Sequence, residues 1–383
     1  MKRWLVILSL LSVLATVPLQ ACGNSRNSAS GGPVKIGVLA PWSGDSAFVG
    51  PTYIDPVLQL VEKQVKDAGG ILGGRQVDFI KFDTRSVTAD AASGAMKLLF
   101  SDKVSVILYG GVSEGEIAAA SDFAEKNGVL IVTARDVSGG SSLRFQVNAD
   151  PGQKEQAAAF TSLTTGLHAK TVAILARDES GLRAEIKTYK AQLDAAGIST
   201  VCEGYYAQGT TYFTPYLSKI KFSRPDVVVL DLGNTREAAA IADQIEGLGG
   251  WGTATAIASY AGEAAAGHAG GQGWYVTALY APGIEDRYPG AAGFVADYRA
   301  MFGRMPDSTD VFWYLPVWTA IKAVELAGTT GDHAKIAEAA RSGSLTWDSP
   351  LGPARFTPDG SSNLSYVITH IVDGKLVPVA IPQ

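Results

Sequence analysis

Thr171-Val172-Ala173-Ile174-Leu175-Ala176 is an unbroken apolar run, and the stretch from Gly181 to Ala195 that follows it carries apolar residues at helical spacing. A strand that is apolar on both faces is buried on both faces, and a strand followed by an amphipathic helix is the repeating unit of a parallel sheet with helices on either side. The same alternation continues outward. Ser199 to Tyr205 reads as a strand, Thr214 to Phe222 as a helix, Val227 to Leu232 as a strand and Arg236 to Glu246 as a helix. It also occurs earlier, with strands at Lys35 to Leu39, Gln76 to Asp83, Val104 to Tyr109 and Leu130 to Val132, and helices at Tyr53 to Ala68, Ala89 to Ser101 and Glu116 to Lys126. The fold class is therefore α/β, with two similar lobes.

Arg144 to Pro151, between the two halves, is extended and apolar enough to be a crossing strand rather than a loose linker. After Gly273 to Ala278 come a Pro/Gly-rich passage, helices around Tyr314 to Ala327 and His333 to Ser342, and a β-rich tail from Arg355 to Val379. This layout predicts that the chain returns to the first lobe and then crosses once more. The expected division is 34–147 plus 281–352 for the N-terminal lobe and 148–280 plus 353–383 for the C-terminal lobe. A chain of 383 residues is also too long for one ordinary core, which agrees with two lobes. A net charge of −5 gives no basic footprint for nucleic acid, and 46% hydrophobic with 18% charged residues is an ordinary globular composition.

Lys2 and Arg3 precede an apolar run from Trp4 to Leu19 that ends in small residues and Cys22. This is signal-peptide anatomy, too short to span a bilayer, so residues 1–21 are expected to be removed. Leu19-Gln20-Ala21-Cys22 resembles the bacterial lipobox, which makes Cys22 the expected lipidation site; a plain signal peptide with an incidental cysteine is the other reading. Residues 22–33 are small and polar and suit a flexible tether. Cys202, in a strand-like setting, is expected to be a buried small hydrophobe.

Lys35-Ile36-Gly37-Val38-Leu39-Ala40-Pro41-Trp42-Ser43-Gly44, Ala68-Gly69-Gly70-Ile71-Leu72-Gly73-Gly74-Arg75, Gly110-Gly111-Val112-Ser113, Arg224-Pro225-Asp226-Val227-Val228 and Phe356-Thr357-Pro358-Asp359-Gly360 occur in an order that resembles type I periplasmic binding proteins of the branched-chain amino acid and amide class. The resemblance covers about Val34 to Val379. It implies two Rossmann-like lobes joined by three crossings, a ligand cleft between them and closure by hinge bending. It further implies a monomer that hands a small molecule to an ABC permease with ATPase subunits, with no cofactor or metal and with a lipid as its membrane attachment.

Ligands of open α/β sheets bind beyond the carboxyl ends of the strands. The loops expected there are Trp42 to Phe48, Tyr109 to Glu116, Ala134 to Ser138, Asp231 to Thr235 and Ile257 to Gly262, with the Val311 to Tyr314 stretch. Guided by the resemblance, the expected contacts are Trp42, Ser43, Ser113, Glu114, Arg135, Asp136, Asn234 and Tyr260. Arg135 can grip a carboxylate in two places, and Glu114 or Asp136 can meet a cation; a surface ion pair of Arg135 with Asp136 is the plainer reading. This charged pair points away from leucine. Trp42, Tyr109, Tyr260, Trp313 and Tyr314 can form apolar walls, or serve simply as core.

Gly111-Val112-Ser113-Glu114-Gly115 also fits the nucleophile elbow G-x-S-x-G, which would make Ser113 a hydrolase nucleophile. Against this, Ser113 reads equally as a helix cap, and the late histidine His370 lies inside an apparent strand. No P-loop, H-E-x-x-H, paired CxxC or complete G-x-G-x-x-G is present. The expectation is a binding protein without catalytic residues. An extracellular sensor acting through another membrane protein is the second class, and one that spans the membrane itself calls for an apolar helix beyond Gln383.

Overall fold

The computed structural model describes residues 31–111, 113–134 and 143–379. The signal segment, Cys22, Arg135 and Asp136 lie outside the described residues. The first sheet contains β1 (Val34–Ala40), β2 (Val77–Asp83), β3 (Val106–Tyr109), β4 (Ile131–Thr133) and β5 (Gln146–Asn148), all parallel, in the order β2-β1-β3-β4-β5. Helices α1 (Asp55–Asp67), α2 (Thr88–Met96) and α3 (Glu114–Asn127) make the crossovers that parallel pairing requires.

The chain then enters a second unit through α4 (Gly152–Gly166), β6 (Thr171–Arg177), α5 (Ser180–Ala195), β7 (Ser199–Tyr206), α6 (Thr214–Ser223), β8 (Val227–Asp231), α7 (Thr235–Gly247), β9 (Thr255–Ala258) and β10 (Tyr275–Ala278). After β10 it leaves again. The helices α8 (Pro289–Phe302), α9 (Ser308–Ala327) and α10 (His333–Arg341) and the hairpin β11 (Thr346–Ser349) with β12 (Gly352–Arg355) precede the antiparallel pair β13 (Val367–Val372) and β14 (Lys375–Pro378). The second sheet runs β14-β13-β10-β9-β8-β6-β7.

The cores explain this path. Residues of β1 to β5 share one apolar cluster with α9, α8 and the β11–β12 hairpin, so these late helices cover the first sheet. α9 is buried around nearly its whole circumference, which an apolar helix with so little polar surface requires. β6 and β8 are buried along almost their entire lengths between helices on both faces, as their unbroken apolar sequences demand. Cys202 is a buried free thiol in this second core.

Three passages connect the two sheets: Asn148 to Gly152, the segment after β10, and the segment between β12 and β13. Two of them are tied together by Arg341. Its guanidinium donates to Leu143 O, to Gln146 O at 3.0 Å and to Pro358 O at 2.9 Å, while Asn148 N donates to Gly360 O at 2.9 Å. One arginine thus satisfies carbonyls on both segments where helix and sheet partners run out. Among the described residues, no helix is long and apolar enough to cross a membrane.

The second unit depends on a close approach of the turn at Ala269–Gly271 to α7. A Cβ on Gly270 would stand 1.9 Å from Ala242 O, which is backbone and cannot swing aside. Gly270→Ala is expected to lower stability by about 1–3 kcal/mol in urea unfolding, whereas Gly267→Ala, with nothing near its Cβ, is the neutral comparison.

Candidate ligand-binding cleft

In both sheets the carboxyl ends of the parallel strands point at the other sheet, so the loops that follow these strands form the walls of a cleft. The loop after β1 is held by Asp83 at the end of the neighbouring strand. Its carboxylate accepts from Trp42 N at 2.9 Å, Ser43 N at 3.1 Å and Ser43 Oγ at 2.6 Å. Partial burial works against ionisation, but the donors of Ser43, Arg85 and Trp42 outweigh it and hold the Asp83 carboxyl below its usual range. Trp42 Nε1 donates to Asp55 at 3.0 Å, and its ring carries Lys81 at 5.5 Å. Both expected contacts in this loop are therefore engaged in shaping it. Gly44 has φ +82°, and a Cβ there would lie 2.0 Å from Arg85 O, so glycine lets the loop fold onto the turn after β2.

Ser113 and Glu114 follow β3. Ser113 caps α3, its hydroxyl accepting from Glu116 N at 3.4 Å. Asn234 does the same for α7 in the other wall, accepting from Arg236 N at 3.0 Å and Glu237 N at 3.1 Å. Ser113 and Asn234 line one polar cavity of about 560 Å³ together with Ser46, Thr210, Arg177 and Glu237. Tyr260, after β9, stands between two smaller cavities of about 40 Å³ each and stacks on Phe312 at 5.3 Å. Trp313 lines the second of these. Tyr109 is buried with its hydroxyl at the Ser113 backbone, 3.2 Å from the carbonyl, and Tyr314 is core, donating to Gln64 at 2.8 Å.

Several polar groups of the cleft escape sequence reasoning. Asp150, Gln153, Gln156 and Glu185 line the inner cavity from the first crossing segment, α4 and α5, beside Asp231 at the end of β8. Arg177, the last residue of β6, is 2% exposed and pairs with Glu179 at 2.6 Å and Glu237 at 3.4 Å. Glu237 also accepts from Tyr206 Oη at 2.7 Å and Gly233 N at 2.8 Å. A Cβ at 233 would lie 1.8 Å from the Arg177 guanidinium carbon, so the loop after β8 rests directly on that group. A charged residue closing an otherwise apolar strand is the one sequence signal that marks this cluster.

Among the described residues, no histidine stands beside Ser113 to serve the nucleophile reading. His370 lies in β13 opposite Tyr275 and stacks on that ring at 4.4 Å, and no histidine lines the cavity that Ser113 faces. Among the described residues, no group of three or more His, Cys, Asp and Glu is placed to hold a metal ion.

Two parallel-sheet units with a polar cleft between their strand ends are the frame of a two-lobed binding protein. Residues 33–375 match the model of the periplasmic binding protein family, and the chain belongs to that family. The Leu/Ile/Val-binding protein BraC3 of Rhizobium johnstonii is 27% identical over 221 residues, a stretch that spans 56% of this chain and 58% of that protein. The crystal structure of the leucine-binding protein LivK from Thermotoga maritima superposes with a TM-score of 0.79 at 23% identity, covering 91% of this chain and 98% of that one. An ABC transporter solute-binding protein from R. palustris, in complex with benzoate, gives 0.76 at 20% identity, covering 91% and 96%. These likenesses bear out the α/β, two-lobed fold and the family resemblance carried by the sequence.

One titrating group ties the cleft to the crossing segments. Glu263 accepts from Ser308 Oγ and from Ser308 N at 3.2 Å, and Ser308 Oγ accepts in turn from Leu279 N at 2.7 Å and Tyr280 N at 2.9 Å. Burial, reinforced by Asp307 and Asp310 and opposed by the Ser308 donors, pushes the Glu263 carboxyl up to about 8. A folded-state value above the unfolded one means that the fold favours the protonated acid. That stability is fully present below about pH 4.5 and declines as pH rises through about 8. The melting temperature is therefore expected to fall between pH 5 and pH 8.5, and Glu263→Gln to flatten the decline, as scanning calorimetry across that range would show.

Proposed function

We propose that this protein is the capture component of an ABC importer, working outside the cytoplasmic membrane and attached to it by a lipid on Cys22. In this reading, residues 1–21 are the export signal and residues 22–33 the tether. The lobes are 34–147 with 281–352 and 148–280 with 353–383, and they close as a monomer on one small polar organic ligand, an amino acid, an amide or a carboxylic acid. The closed complex is the form presented to the permease and its ATPase subunits.

The observation that carries the reading is the convergence of polar groups from both sheets on one cleft, with Ser113 and Glu114 on one side and Asn234, Asp231 and Tyr260 on the other. Arg135 and Asp136, which follow β4 in the sequence, are included in the proposed site, and Trp42 and Ser43 support it by holding the loop after β1. LivK is named for leucine, and the R. palustris protein holds benzoate, so relatives of this fold take both amino acids and aromatic acids.

A ligand that binds only the folded protein stabilises it by RT ln(1 + [L]/Kd), about 2.7 kcal/mol at a hundredfold excess over Kd. A thermal-shift screen against amino acids, amides, small carboxylates, aromatic acids and purines is expected to raise the melting temperature with one class, with calorimetry giving one site and the ligand recovered unchanged. Chemical conversion of the hit, lost in Ser113→Ala, would replace this reading with the hydrolase one.

A further inference from the structure

The side chain of Glu114 crosses the cleft. It leaves the first turn of α3 on the first sheet and reaches the first turn of α5 on the second, where Oε1 accepts from Gly181 N at 2.8 Å and Oε2 accepts from Ser180 Oγ at 2.5 Å. The opening amides of a helix have no partners within it, and the usual remedy is a side chain at the N-cap. In α5 the N-cap residue Glu179 makes no such bond, its carboxylate being paired instead with Arg177 at 2.6 Å. The capping carboxylate comes from the other lobe.

The seat is shaped for a carboxylate. It offers a backbone N–H, a hydroxyl and the positive end of a 16-residue helix. Gly181 is buried, and a Cβ there would stand 2.5 Å from Glu114 Oε1 and 2.6 Å from Gln153 Nε2, so glycine is what lets the anion approach the backbone. A second anion brought to this place meets a donor pair that the Glu114 carboxylate already occupies.

We propose that Glu114 is a specificity-determining latch: its carboxylate fills the anion seat at the amino end of α5, holds the two lobes together, and excludes a ligand carboxylate from that seat. The inference rests on the ligand-capture reading and narrows it to ligands that place no carboxylate in this seat. The latch is local. Arg236 over the Phe48 ring at 4.4 Å is a second contact between the lobes, at another place in the cleft.

The test compares the purified wild type with Glu114→Ala, which empties the seat, and with Gly181→Ala, which drives the carboxylate out from the other lobe. Alanine is a good helix former and Glu114 is only half-buried, so the first variant is expected to fold, as circular dichroism would verify. Small-angle scattering without added ligand is expected to give both variants a larger radius of gyration than the wild type. Titration calorimetry with L-leucine and with benzoate is expected to show at least one acid binding Glu114→Ala about tenfold or more tightly than it binds the wild type. Equal radii would overturn the latch, and acid affinities no higher in the variant would overturn the selectivity. Ligand capture by the wild type in the screen would survive either result, so failure here is distinguishable from failure of the transport reading.

Discussion

Parallel strand pairing is the constraint on which the rest of this structure depends. Strands paired in parallel are joined by crossovers, and α1, α2, α3, α5, α6 and α7 are crossovers that begin at the carboxyl edge of their sheet. Each of these edges therefore collects loops and helix amino ends whose N–H groups have no partner within the helix. Setting two such edges face to face makes a cleft rich in donors before any particular side chain is chosen. Ser113 and Asn234 are local answers to this demand, each capping the helix it precedes. Glu114 is a non-local one, capping a helix in the opposite unit.

The same constraint accounts for the buried charges. The loop after β8 has to turn into α7 over the end of β6, and Arg177 fills the space beneath Gly233. A guanidinium that is 2% exposed is tolerable only with counter-charges, and Glu179 and Glu237 supply them. Glu237 in turn fixes Gly233 and Tyr206, so one ion cluster sets the height of the second wall. On the hinge side, Ser308 gathers Leu279, Tyr280 and Glu263 at the start of α9. Ser308 thus links the passage after β10 to the second unit through Glu263.

Much of the architecture is legible in the sequence because fully buried parallel strands leave a strong trace. The run from Thr171 to Ala176 and the run from Val227 to Leu232 can hardly be anything else, and they appear as neighbouring strands β6 and β8. The loops Asp231 to Thr235 and Ile257 to Gly262 follow from the strand-end rule and do line the cleft. Helix starts are less sharp: α3 begins at Glu114, two residues earlier than the periodicity indicates, because Ser113 supplies the cap. What spacing does not reveal is partnership across the fold. Trp42 and Ser43 are recognisable as loop residues, yet their partner Asp83 is brought beside them only by the order β2-β1-β3. Asp150, Gln153, Gln156 and Glu185 carry no mark in the spacing, α4 not being among the helices the sequence indicates, and only the packing of α4 and α5 turns them toward the cleft. For Glu114, residue type and position suggest a cation-binding acid, whereas its contacts are with Ser180 and Gly181 of the other unit.

The central claim is that the facing strand ends of both units act together as one binding site. Hydrogen exchange read by mass spectrometry, with and without the ligand found by thermal shift, tests this most directly. The account predicts that protection rises together at the turns after β3 and β4 in the first unit and after β6, β8 and β9 in the second, while the outer faces of α1 and α6 stay unchanged. Protection confined to one unit, or centred away from the strand ends, would contradict it.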